Sequence, residues 1–167
     1  MAAMNGRLLC VSALSALTVL LAHLGPAASE SDSVVATVDK PAVVTAVADL
    51  SAKSRAADKP AQVVVKVTSY QPPSGKPPPA LAAVVKVQGN GAEPDREIGR
   101  FGIFPNTAFT RGDQARSYSF PLPKDLANQD ALRLSVQLEP FRSGKDASGD
   151  IARGADASLE VGGAKIE

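Results

Sequence analysis

The most regular alternation of apolar and polar residues in the chain runs from Ala131 to Pro140. Four large aliphatic residues occupy every second position of this stretch: Leu132, Leu134, Val136 and Leu138. An alternation of period two predicts a β-strand with one face in a hydrophobic core. Burial of such a row contributes about 6–12 kcal/mol before conformational entropy is subtracted, which predicts a central place in a sheet.

Other segments with apolar residues at alternate positions predict further strands at residues 62–70, 81–88, 98–104, 115–120 and 158–161. Turn-forming residues separate them, among them five prolines within residues 71–80 that predict a stiff, exposed connection. Residues 125–129 predict a single helical turn, and the Gly- and Asp-rich stretch after Phe141 predicts a mobile loop. The predicted fold is mainly β, an antiparallel β-sandwich or jelly-roll-like barrel with one short helical turn.

The N-terminal part of the chain has a different character. Residues 1–29 have the outline of a secretory signal peptide, with one basic residue, an apolar run and then small residues. An uncleaved membrane anchor is the alternative, but the run is short for crossing a bilayer. Cleavage predicts a secreted or periplasmic protein without a stable membrane anchor.

Residues 30–61 are predicted to form a weakly structured N-terminal extension, which could serve as a partner-docking arm. Within it, residues 34–38 permit a strand, and residues 42–57 permit either a short amphipathic helix or a strand. The folded β domain is predicted to span residues 62–167.

Removal of the leader limits the chemistry that remains. The histidine and the cysteine, His23 and Cys10, both lie in it, so the mature chain lacks imidazole and sulfur ligands for zinc or copper. It also lacks the histidine of a Ser-His-Asp or Cys-His nucleophile, and we expect no cofactor and no enzymatic activity. Of 18 basic residues Arg7 is removed, and the remaining 17 balance 17 acidic ones, so no charge excess predicts nucleic-acid binding.

One predicted connection has an aromatic residue at either end. It contains Phe104, Pro105, Asn106, Thr107 and Phe109. Phenylalanines in this arrangement most often cap the edge of a core, and the alternative is an exposed plug that enters a partner's cleft. Before this connection, Gly99 and Gly102 predict a bulge or a close approach by another backbone.

The order of motifs in the last two thirds of the chain resembles the C-terminal β domain of tyrosinases and plant polyphenol oxidases. The motifs are IGRFGIF at residues 98–104, PKDLANQ at 123–129, ALRLSVQLEP at 131–140 and SLEVGGAKIE at 158–167. The resemblance covers residues 63–167, and its most distinctive part is the ending that contains Gly162, Gly163, Lys165 and Ile166.

The resemblance implies a role without catalysis. The copper-binding half of those enzymes holds its two metal ions through histidines on a helical bundle, and this chain has neither. In the family, the C-terminal domain packs over the copper cleft and can insert a side chain that blocks it. The candidate partner-contact loop is then the connection from Phe104 to Phe109, and the implied partner is a separately encoded tyrosinase-type copper oxidase.

Two alternatives remain open. A carboxylate-based hydrolase would need two acids that converge in a cleft, one of them with a raised pKa. Acids such as Glu139 and Glu160 lie instead on the polar faces of predicted strands, where solvated charges are the simpler interpretation. The other alternative is a structural or interaction protein of the cell envelope without a small-molecule ligand.

Overall fold

A computed structural model describes residues 33–49, 60–141 and 147–167. The chain divides into two compact units, Met1–Glu30 and Ser31–Glu167, and every described residue belongs to the second. The predicted signal peptide at residues 1–29 therefore lies outside the described residues, as do residues 30–32 and 50–59 of the predicted extension.

The described residues form β-strands and one short helix. In chain order they are β1 (Val34–Ala36), β2 (Ala42–Ala48), β3 (Gln62–Gln71), β4 (Leu81–Val87), β5 (Arg96–Phe101), β6 (Arg116–Pro121), β7 (Ala131–Pro140), α1 (Ala147–Arg153) and β8 (Ser158–Ile166). The prediction of a mainly β fold with one short helical piece is confirmed.

All the strands belong to one sheet, in the order β5-β4-β7-β2-β8-β3-β6, with β1 also paired to β8. Described neighbours run antiparallel except β2 and β8, which are parallel. The sheet curls until its two edges, β5 and β6, face each other, so that it forms a nearly closed barrel. The ring of Phe101 on β5 stacks on that of Tyr118 on β6 with centroids 3.8 Å apart, and it lies 5.9 Å from the ring of Phe120.

The predicted central strand is confirmed as β7, which lies between β4 and β2. Its four alternating aliphatic side chains are buried in the core together with the inward-facing valines of β3 and β4. Ser135 also lies on β7 and is buried, although it faces away from that row.

The structure corrects the prediction of a weakly structured extension for the part of it that is described. Residues 42–48 form β2, which pairs through six residues with β7 and also pairs with β8. Inward-facing Val44 and Ala46 are buried, so the segment belongs to the core. Its short alternation of small apolar residues is compatible with either a strand or a helix. Because β7 and β8 pair with it on either side, it forms a strand.

A second difference concerns the connection between β7 and β8. Residues 147–153, placed in a predicted mobile loop, form α1. Residues 142–146 of that loop lie outside the described residues. The helical turn predicted at 125–129 corresponds to a turn in which Leu126 and Ala127 donate backbone hydrogen bonds to Pro123 O, at 2.9 and 3.1 Å.

Three connections of nine or more residues lie at one end of the barrel, which we call the loop end. Gln71 pairs with Ser158 and Leu81 pairs with Pro140, so the ends of β3 and β7 meet the starts of β8 and β4 there. Residues 72–80, residues 102–115 and the connection that contains α1 therefore all emerge at the loop end.

Candidate functional site

The predicted partner-contact residues lie in the connection between β5 and β6, which we call the 102–115 loop. Phe104, Pro105, Asn106 and Thr107 are all exposed, whereas Phe109 is buried. The side chain of Phe104 is 89% exposed, and that of Phe109 is 7% exposed. The two phenylalanines therefore differ in role: Phe109 caps the core, as the first interpretation expected, and Phe104 projects into solvent.

Phe109 fixes the loop to the end of β3. Its backbone N–H donates to Tyr70 O at 3.1 Å, and the Tyr70 N–H donates to Phe109 O at 2.9 Å. The two rings lie 6.3 Å apart between centroids in a tilted arrangement. This small ladder joins the loop to the barrel wall through both backbone and side chain.

Two side-chain contacts then hold the residues beside Phe104. The Tyr70 hydroxyl donates to Asn106 Oδ1 at 2.8 Å, and burial raises the pKa of Tyr70, so the phenol keeps the proton that it donates. The Arg116 guanidinium lies 4.2 Å from the centroid of the Phe109 ring and donates from Nη1 to Phe104 O at 3.1 Å. The exposed Phe104 is thus carried on an anchored backbone.

A groove of about 510 Å³ lies beside this anchored segment, lined by Ala108, Phe109 and residues 113–116. Asp113 in its wall is held in place because its carboxylate accepts hydrogen bonds from the N–H and hydroxyl of Thr110, at 2.7 and 3.3 Å. The groove is open and mostly polar, unlike the enclosed, mostly apolar pockets that bind small substrates.

Sequence reasoning singled out neither Tyr70 nor Arg116. Both lie at strand ends, where their patterns indicate only strand positions. No local signal connects Tyr70 with Asn106, because the contact depends on how β3 pairs with the far side of the loop.

The ending that contains Gly162, Gly163, Lys165 and Ile166 has a structural role in β8. The register of the β3–β8 ladder shifts by one residue between Lys66 and Val67 and returns before Ser69, so Gly162 lies at a bulge. A Cβ at Gly162 would lie 2.4 Å from Thr68 Cγ2, and Gly163 has a φ of 140°, which side chains rarely adopt.

The two other residues of this ending lie apart from the 102–115 loop. Ile166 is buried in the core, and Lys165 is exposed and forms an ion pair with Glu167. The structure therefore places Lys165 and Ile166 at the end of the barrel opposite the partner-contact residues, and Gly162 and Gly163 in the middle of β8.

Within residues 33–49, 60–141 and 147–167, several carboxylates are paired with basic or hydrogen-bonding groups. Glu139 is paired with Lys86 at 2.7 Å, and Glu160 with Arg111. The pKa of Glu97 is lowered chiefly by its hydrogen bond to Arg100, and that of Asp156 by its hydrogen bonds to Ser74. The pKa of Glu160 is lowered too, first by Ser33 and then by Arg111, so the surroundings of these groups favour the charged form instead of a general acid.

Within residues 33–49, 60–141 and 147–167, no group of three or more His, Cys, Asp or Glu side chains is arranged to hold a metal ion. Among the helices of the same residues, none is long and apolar enough to span a membrane.

Comparison with known proteins gave no match: no family model, no curated protein and no solved structure is significantly similar to this chain.

Proposed function

We propose that this protein is a non-catalytic, secreted β domain that docks on a separate tyrosinase-type copper oxidase and shields or assists it. The observation that carries the proposal is Phe104, a large aromatic side chain that is 89% exposed on a loop anchored beneath it. An aromatic side chain on a prepared backbone loses little conformational freedom on binding, which favours a role as an interface anchor.

The choice of partner rests on the motif order that resembles the tyrosinase C-terminal domain. The motif with Gly99 and Phe101 leads directly into the 102–115 loop. The resemblance implies that this region would face the copper cleft. Phe104 is the side chain with the reach to enter such a cleft, since Phe109 is committed to the core.

Burial of a phenylalanine side chain contributes about 1.5–3 kcal/mol, so we expect Phe104→Ala to weaken binding to the oxidase about 10- to 100-fold. The measurement is a titration of the mature domain into a copper-loaded tyrosinase-type oxidase, followed by calorimetry and by the rate of diphenol oxidation. Saturable binding with a changed rate, both reduced in Phe104→Ala, is the expected result.

Val47→Ala is the matched control, because Val47 is 57% exposed but pairs with Ala131 and Lys165 at the end of the barrel opposite the loop end. It should bind like the unaltered domain. Phe109→Ala is not a test of contact, because loss of a buried phenylalanine costs about 3–5 kcal/mol of stability. A folded domain that neither binds the oxidase nor alters its rate would overturn the proposal and favour a structural protein of the cell envelope.

A further inference from the structure

The far side of the 102–115 loop is fastened by a polar contact among three segments that are remote in sequence. Arg111 of the loop donates hydrogen bonds to the Glu160 carboxylate on β8 and to the hydroxyl of Ser33, which precedes β1. We call Ser33, Arg111 and Glu160 the polar clasp. It joins the loop to β8 and to the residue just before β1.

The clasp is partly shielded from water. The Glu160 side chain is 16% exposed, whereas that of Arg111 is 67% exposed. A carboxylate with so little solvent needs charged or hydrogen-bonding partners, and here the Ser33 hydroxyl and the Arg111 guanidinium supply them. Removal of either partner leaves the Glu160 charge less well compensated.

Glu160 also lies where β1 is paired. Val35 of β1 is its partner in one ladder, and Ser69 of β3 is its partner in the other. β1 is only three residues long, and the Ser33 side chain adds a contact just before its pairing with β8 begins.

The loop thus has two attachments, and both follow its exposed part in the sequence. The first is the ladder between Phe109 and Tyr70, which rests on the core. The second is the polar clasp, whose Ser33 contact exists only when β1 lies against β8. The exposed residues that carry Phe104 precede both attachments, and their position depends on both.

We infer that Arg111 is a positioning residue that couples the docking of β1 on β8 to the conformation of the loop that presents Phe104. Release of β1 withdraws Ser33 from the clasp and loosens the loop, and loss of Arg111 loosens β1. The inference deepens the proposed function and rests on it for its consequence in partner binding.

Amide hydrogen exchange of the full mature domain tests the coupling without any partner. In Ser33→Ala, we expect exchange at the hydrogen-bonded loop amides of Phe109, Thr110 and Asp113 to become about tenfold faster, the size expected when a hydrogen bond to a charged group is lost. In Arg111→Ala, exchange should become faster both in the loop and in β1. Core amides of β7 should keep their rates, which separates this local effect from general destabilisation.

Two controls complete the test. Ser33→Thr keeps the hydroxyl and should retain slow exchange. Arg96→Ala removes another exposed arginine from an ion pair, that with Asp125 at 2.8 Å, and should leave the loop and β1 unchanged. Unchanged loop exchange in Ser33→Ala, or unchanged β1 exchange in Arg111→Ala, would overturn the coupling.

The same variants keep this inference separate from the proposed function. Phe104→Ala should weaken oxidase binding without altering exchange, whereas Arg111→Ala should alter exchange and also weaken binding. If the unaltered domain does not bind the oxidase, the proposed function fails. The exchange rates then still show whether β1 and the loop are coupled. If Phe104→Ala weakens binding but Arg111→Ala alters neither exchange nor binding, the coupling fails alone.

Discussion

At the scale of single residues, the barrel closes at Gly99. A Cβ at this position on β5 would lie 2.4 Å from Cδ1 of Phe120 on β6, and Phe120 is buried. The ring cannot move aside without losing its packing in the core. We expect Gly99→Ala to lower the free energy of unfolding by about 1–3 kcal/mol, a typical cost of overpacking, as measured by urea denaturation.

Gly102 provides the matched control, because nothing lies within 4 Å of a Cβ placed there. Gly102→Ala should change the free energy of unfolding by less than about 0.5 kcal/mol. Equal losses at the two positions would show that backbone flexibility, and not contact with Phe120, explains the glycine at position 99.

At the scale of elements, β2 allows a clear prediction about which of its side chains the fold requires. Val44 faces the core and Thr45, its neighbour, faces solvent. We expect Val44→Asp to prevent stable folding, because an unpaired charge would be buried between β7 and β8. Thr45→Asp should be nearly neutral, since Thr45 is exposed and lies opposite Arg133. Circular dichroism with thermal unfolding measures both, and equal stability of the two variants would place β2 outside the core.

The sequence predicts those elements whose structure is determined by their own pattern of apolar residues or prolines. The alternation at 131–140 requires a buried face wherever the strand lies, and the prolines at 72–79 exclude a strand. For β2, the decisive information is the pair of edges offered by β7 and β8, which no local pattern contains. α1 was missed because its glycine and serine disfavour a helix in isolation.

In the candidate site, too, local features can be predicted from the sequence, whereas contacts between distant segments cannot. The sequence identified the connection with two phenylalanines, but residue type could not separate the exposed Phe104 from the buried Phe109. Their difference follows from the pairing of Phe109 with Tyr70, a residue of another strand. Arg111 and Glu160 meet for a similar reason, because the fold brings the 102–115 loop against β8. From the sequence, Glu160 is expected only as a solvated charge on the polar face of a strand.

At the scale of the whole molecule, the strands of the sheet differ in how strongly they are held. β7, β2 and β8 each have neighbours on both sides, whereas β5 and β6 are each paired to one strand and meet mainly through aromatic rings. We expect amides of β5 and β6 to exchange through openings of lower free energy than amides of β7. Native-state hydrogen exchange at several urea concentrations measures this order. Equal protection in β5 and β7 would indicate a fully hydrogen-bonded barrel.

The parallel pairing of β2 with β8 also determines when the domain can be completed. Ala46 pairs with Ala164, so a strand synthesised early must wait for one synthesised late. Until the ribosome has delivered residues 158–166, the sheet has an open gap next to β2, and such long-range closure is slow. A chain interrupted before that point exposes apolar strand edges and becomes a substrate for chaperones and proteases, instead of a shorter domain that still works.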